Sequence, residues 1–511
     1  MTGSRWSIAR WCAVAIAAFI AAGRLQEPLR DQRPGRMADP AVALDQAPPW
    51  VTFTTVALGG FRGLLVDLLW MRASELQDRG NYYELVQLAE WITRLQPRFA
   101  SIWAFHAWNL AYNVSVMFPS PSDRWRWVRH GISLLRDDGL RFNPDSALLH
   151  RELAWMFQHK LGMDMDQAHH FYKRAWAEEI ERALGGPRPE PGWEALAAAP
   201  RNAQELLRDE RVADLLAQLR AAGWDPLLAP PEAEPKLPAA LHDRWEHSQE
   251  GVRLRAWRRA QWLRQVYKLE PAVMHEIEQT LGAQLDWRTP YAHAIYWAWT
   301  GLPLARTKFD DLSLRRQIFQ SLMSAYVRGR LTWDRRHDRV VLSPQPDLLP
   351  AALRAFEETL RRHPADPTVR QAHRNFLVDA IMISVTYQRR RDAEQLWQEL
   401  RRNYPEPWPD SLQQFVAETW AGRLRDMDTA EALAAVESAC YQSLLWRELG
   451  DPVAAEGYAE LARWCWEVFM SKRTDPEWRE RTGLPPLEVI FRQAAERLKT
   501  DLSPSANSRA P

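Results

Sequence analysis

Three groups of residues in this sequence could do chemistry by type and spacing: histidines near carboxylates, an acid inside an apolar run, and polar side chains threaded through aromatic helices. The stretch "HEIEQ" at 275–279 comes nearest to the zinc-protease pattern H-E-x-x-H, whose two histidines lie one helical turn apart and ligate a single metal. Gln279 stands where the second histidine must be, so no metal pair forms on that helix face. His169 and His170, with His159 ten residues earlier, are a second metal-like group. Adjacent residues on a helix point about 100° apart, so the pair reads as surface histidines at a helix start. No phosphate-binding G-x-x-x-x-G-K-[ST], no dinucleotide G-x-G-x-x-G after a strand and no G-x-S-x-G nucleophile elbow occurs. The expectation is therefore no catalytic residue, no metal and no cofactor.

The remaining candidates are positions for binding. Asp67 interrupts the apolar "GLLVDLLWM". A carboxylate there is either paired with an arginine of a neighbouring helix or lines a groove and takes a partner's basic group, because an unpaired buried charge is costly. In "WAFHAWNLAYN" (103–113) a helical wheel puts apolar residues over well more than half the circumference. His106, Asn109 and Asn113 share the narrow remaining sector. They either form interhelical hydrogen bonds that fix packing or face a ligand groove. A second stretch, "YAHAIYWAW" (291–299), places His293 and Tyr296 on one side. Aligned on "HA", it superimposes His106 on His293, Ala107 on Ala294 and Ala111 on Ala298. A shared H-A-x-x-x-A supports a repeated structural role over a unique active site.

The elements that must position these residues are helices, in a chain of 511 residues that is long for one compact core. Charge is balanced, Lys+Arg 66 against Asp+Glu 65, which removes the electrostatic argument for a nucleic-acid partner. The 27 Trp are the compositional anomaly; helical spacing beside Ala and Leu reads as core packing, and a Trp-rich groove for sugars or peptides is the alternative. Of three cysteines, Cys440 and Cys465 fall on two helices of one hairpin, as a disulfide or as two buried thiols. Residues 11–23, "WCAVAIAAFIAAG", suit a signal peptide or signal anchor, followed by a Pro- and Arg-rich linker over 24–50. This predicts a chain exported or tethered to a membrane, with its bulk outside the cytoplasm.

Beyond the linker the helical period dominates. Pairs of helices close on "QP" (96–97) and "NP" (143–144), the habit of a helical repeat array. Over 392–405, "DAEQLWQELRRNYP" carries Ala393, Trp397 and Pro405, and "LGDPVAAEGYAELA" (449–462) carries Gly450 at a turn with Ala455 and Ala462 seven apart. These pairs resemble degenerate tetratricopeptide repeats (TPR), over roughly 61–180 and 370–470; the family's first-helix glycine is missing. The resemblance implies an all-α fold, an α-solenoid of antiparallel TPR-like pairs, that binds protein partners in a concave groove without catalysis. "RLTW" and "RVVLS" around "DRRHD" add one β-hairpin near 331–343. The expected organisation is N-terminal repeats over 51–184, a Pro-rich helical excursion over 185–245, a middle helical region over 246–345, C-terminal repeats over 346–500, and a disordered tail over 501–511. The function that follows is a non-enzymatic scaffold at a bacterial-type cell envelope. Groove contributors would be Asp67, His106, Asn109, Asn113, His293 and Tyr296. An envelope enzyme or carbohydrate binder is the alternative.

Overall fold

A computed structural model of the chain describes residues 62–230, 232–233, 236–334, 339–425, 429–471 and 483–501. The expected signal segment, linker and C-terminal tail lie outside these residues, apart from Asp501. The described residues are helical apart from loops and one two-stranded antiparallel sheet. None of their helices is long and apolar enough to cross a membrane.

The chain divides into two compact units, 1–153 and 154–511. The first unit holds α1 (Arg62–Asp78), α2 (Tyr82–Leu95), α3 (Ala100–Trp108) and α4 (Pro121–Ser133). The division falls within α5 (Ala147–Trp155). Gly80, at φ +70°, makes the turn after α1. Pro121 starts α4 with Ser120 ahead of it. Its stripe Trp125, Val128, Ile132 and, just beyond, Leu135 is buried. Two closing motifs meet directly: the Pro97 carbonyl of "QP" accepts from Trp103 Nε1 (2.7 Å) and from Nδ2 of Asn143 of "NP" (2.8 Å). Helices α3 and α4 each run on through a wider π-type turn, Asn109–Val114 and Leu134–Gly139.

The second unit begins with such a turn, Met156–Leu161, continuing α5. It then has α6 (His169–Leu184), α7 (Trp193–Ala197), α8 (Ala203–Leu206), α9 (Glu210–Ala221), α10 (Ala239–His247), α11 (Gln249–Trp262), α12 (Pro271–Leu281), α13 (Pro290–Gly301) and α14 (Lys308–Arg328). Residues 240–269 do not form one continuous helix: the chain breaks at Ser248, whose backbone is extended and whose side-chain Oγ caps α11 by accepting from the Gly251 N–H. The excursion carries its own core, with Val212, Leu215, Leu219 and Trp245 packed on Leu254. Arginines of α11 clasp it: Arg255 reaches Glu190 (2.6 Å), and Arg258 donates to Pro230 O (2.9 Å).

The hairpin follows as β1 (Arg330–Asp334) and β2 (Arg339–Ser343), in register Arg330↔Ser343 and Thr332↔Val341. A lone hairpin is marginal in water. This one is held by Asp286 and Arg288, since Leu331 N–H donates to Asp286 Oδ2 (2.9 Å) and Leu331 O accepts from Arg288 (2.8 Å).

Helices α15 (Leu349–Arg362), α16 (Pro367–Thr386), α17 (Arg390–Asn403), α18 (Leu412–Arg425), α19 (Thr429–Glu448), α20 (Pro452–Ser471) and α21 (Leu487–Asp501) complete the described residues. Asp366 caps α16, accepting from Thr368 and Val369 amides. Consecutive helices pack as pairs, α16 with α17 and α19 with α20. On α17 Ala393, Leu396, Trp397 and Leu400 are buried at i, i+3, i+4, i+7. Each large apolar side chain contributes about 1.5–3 kcal/mol on burial, against about 0–1 for an exposed ion pair, so the apolar face sets the pairing. Ala455 and Ala462 are buried too. Gly457 lets α20 cross the end of α16 closely; a Cβ there would strike the Thr386 carbonyl oxygen.

Candidate functional site

The polar stripe of α3 points inward. His106 is 1 % exposed and Asn109 0 %, while Trp108, on the apolar arc, is 37 % exposed. Gly131 of α4 explains the direction, because its missing side chain lets α4 approach the Ala107 carbonyl and Ala111. Asn113 Nδ2 donates to Asn109 Oδ1 (2.9 Å). Neither His106 ring nitrogen nor Asn109 Nδ2 has a hydrogen-bond partner among the described residues. Burial, with His130 nearby, pulls His106 down to about 3, so the ring is neutral.

His293 is equally enclosed, 0 % exposed, among Phe157, Trp176 and Trp287. Its Nε2 lies 2.7 Å from Trp287 O; a carbonyl can only accept, so that nitrogen carries the proton. Tyr296 is buried; its hydroxyl oxygen accepts from the Glu270 N–H (2.9 Å), and burial pushes the phenol up to about 12. The alanines of both H-A-x-x-x-A stretches are buried at 0 %. These four predicted residues thus sit in packing layers, and Asn113 is half-buried beside them. Asp67 lies on α1, but its side chain is outside the described residues. Cys440 and Cys465 are free thiols, not a disulfide, buried in one core cluster.

A charge cluster surrounds His169 and His170. Around the turn from α5 to α6, Lys160 pairs with Asp166 (2.6 Å), both side chains buried. Asp166 also accepts from Tyr172 Oη (3.0 Å) and the Ala168 N–H (2.9 Å). Asp164 takes Lys173 (2.5 Å) on one oxygen and Arg328 of α14 (2.6 Å) on the other. Burial works against ionising either acid, but these cations outweigh it and hold both at about 2. His169 is drawn to about 4 by burial and Lys173. With both acids ionised and His169 neutral, none of these three groups changes charge near neutral pH, and their bonds fasten the α5–α6 turn to α6 and α14. In "HEIEQ", His275 bonds Gln279 (2.9 Å), while buried Glu278 accepts from Trp287 Nε1 (2.8 Å).

A groove of about 560 Å³ lies among α16, α17, α18 and α20. Val385, Leu412, Val416, Leu461 and Trp464 supply its apolar lining, all half-buried. Arg390 and Glu394 of α17, with Glu460, Arg463 and Glu467 of α20, add exposed charges. None of these five forms an ion pair among the described residues. Neighbouring Arg389, by contrast, is bound to Asp392 and Asp347. On α20 Gly457, Leu461 and Trp464 share a face, flanked by Glu460 and Glu467 two turns apart. Sequence reading missed this site, although the closing half of the "AAEGYAELA" stretch enters it. No protein-family model and no curated protein matches the chain.

Proposed function

We propose that the protein is a non-catalytic, TPR-like helical-repeat scaffold that holds a partner protein at an envelope membrane, tethered by its N-terminal segment. The observation that carries this reading is the groove, where an apolar lining and five charges with no ion-pair partner among the described residues occur together. Such charges keep their hydration until a partner replaces it, and the apolar lining supplies the affinity. The apolar run 11–23 after Arg5 and Arg10 supports the tether. The Trp-groove alternative finds one tryptophan, Trp464, in the groove lining.

The test is quantitative affinity capture of the full chain from membranes. A stoichiometric partner should be retained by Leu228→Asp, on an exposed loop residue, and lost with Val416→Asp. Equal capture by both variants removes the groove from the function. N-terminal sequencing of the mature chain checks the tether, because a start at Arg24 would rule out an anchor.

A further inference from the structure

We infer that the groove among α16, α17, α18 and α20 takes an amphipathic α-helix of the partner protein, one whose apolar stripe is edged by basic residues seven apart. The inference rests on the scaffold reading and narrows it. The residues that line the groove all belong to helices and none to a strand. No strand edge is offered to an incoming chain. An extended peptide would therefore bury its own N–H and C=O groups without partners, which costs free energy at every residue. A helix satisfies its backbone internally and needs only side-chain contacts, the helix-in-groove mode.

The side chains fit that occupant. Leu412 and Val416 on α18 face the site from one wall, and Leu461 and Trp464 from another. Each wall thus offers a pair one turn apart, the spacing at which an i, i+3/i+4, i+7 stripe interdigitates. The charges set polarity. Three carboxylates (Glu394, Glu460, Glu467) stand against two guanidinium groups (Arg390, Arg463), an excess of one negative charge. Glu460 and Glu467 lie two turns apart on one edge of α20, about 10 Å. That spacing matches lysines or arginines at i and i+7 of the bound helix, while Arg463, between the two glutamates on the same edge of α20, would meet an acid at i+3 or i+4 of that helix.

The experiment uses the full-length chain and fluorescein-labelled synthetic peptides read by anisotropy. One probe is a helix-forming Leu/Ala peptide with lysines at i and i+7 beside the leucine stripe. The second has glutamates at those positions, and the third has the lysine peptide's composition interrupted by proline. The lysine-edged helix should bind, and Glu460→Lys with Glu467→Lys should weaken it on the order of tenfold and strengthen the glutamate-edged helix in turn. Both positions are exposed, so unchanged melting of the variant is expected and is measured alongside. No binding by the lysine-edged helix, or a charge reversal that changes its affinity less than twofold, overturns the inference. Equal binding of the proline-interrupted peptide overturns the helical occupant. Self-association of the wild-type chain that the reversal abolishes assigns the groove to a second copy instead. If these probes fail while membrane capture still depends on Val416, the scaffold reading stands and only the helical occupant falls.

Discussion

At the residue scale, enclosure decides what the histidines do. His106 has its ring in an apolar layer, and its proton affinity is held far below the ordinary value of 6.5. On unfolding the ring regains that value. Below 6.5 the unfolded chain therefore binds a proton that the folded chain refuses, and stability falls with pH from 6.5 toward 3. The contribution is complete above 6.5 and has dropped by about 2 kcal/mol at pH 5. Urea melts of wild type and His106→Leu at pH 7 and pH 5 check this: wild type should lose about 2 kcal/mol more than the variant. Parallel losses would show that the ring is not enclosed as described. Asn109 and Asn113 answer to each other within the same layer. The stripe they form was visible in the sequence; its direction was not. A helix apolar over most of its circumference has almost no preferred face, so polarity cannot choose which side is inward. Gly131 on the next helix makes that choice through close approach.

At the element scale, the chain fastens its weak pieces with charge. The hairpin is legible from "RLTW" and "RVVLS", because β-branched and aromatic residues flank a polar turn. What holds it is not legible, since Asp286 lies about 45 residues before Leu331 (|i−j| = 45). Replacing Asp286 by Ala strips a partner from buried Arg288 and leaves the Leu331 N–H unsatisfied. The expected cost is about 2–4 kcal/mol, with faster hydrogen exchange over 330–343 and unchanged protection in α16. Unaltered exchange in the hairpin would mean that its strands stand without the clasp. Helix borders were the easiest features to anticipate, because Pro271, Pro290 and Pro367 occupy first turns and Gly185 and Gly282 take left-handed termini. The break at Ser248 escaped notice because "EHSQEG" keeps a helix-compatible composition across a backbone that turns extended for one residue.

At the scale of the whole molecule, apolar residues serve two ends that spacing cannot tell apart. Leu461 and Trp464 read as core from their period, and they do pack on the C-terminal core cluster, yet they also line the groove. The groove was hidden because its four walls come from segments spread over about 80 residues, and no local pattern says which apolar face lacks a cover. Cys440 and Cys465 give a global probe. Both are buried in that cluster, which pushes their thiols up to about 12. In a Cys12→Ser background neither should react with Ellman's reagent in the native protein at pH 8, and both should react once guanidinium unfolds it. An unreduced chain lighter by two hydrogens would instead reveal a disulfide.

The π-type turns carry a consequence for how such a chain changes over generations. Each takes up one more residue than an α-turn, and rotates every side chain beyond it by roughly 100°. They recur at Asn109–Val114, Leu134–Gly139, Met156–Leu161 and Leu263–Tyr267, each as the continuation of an α-helix. A helix able to widen in this way can absorb a single-codon insertion in its middle without surrendering its ends. Helix pairs of one length could then drift out of phase with each other while each stayed folded, so that likeness in geometry need not leave likeness in spelling.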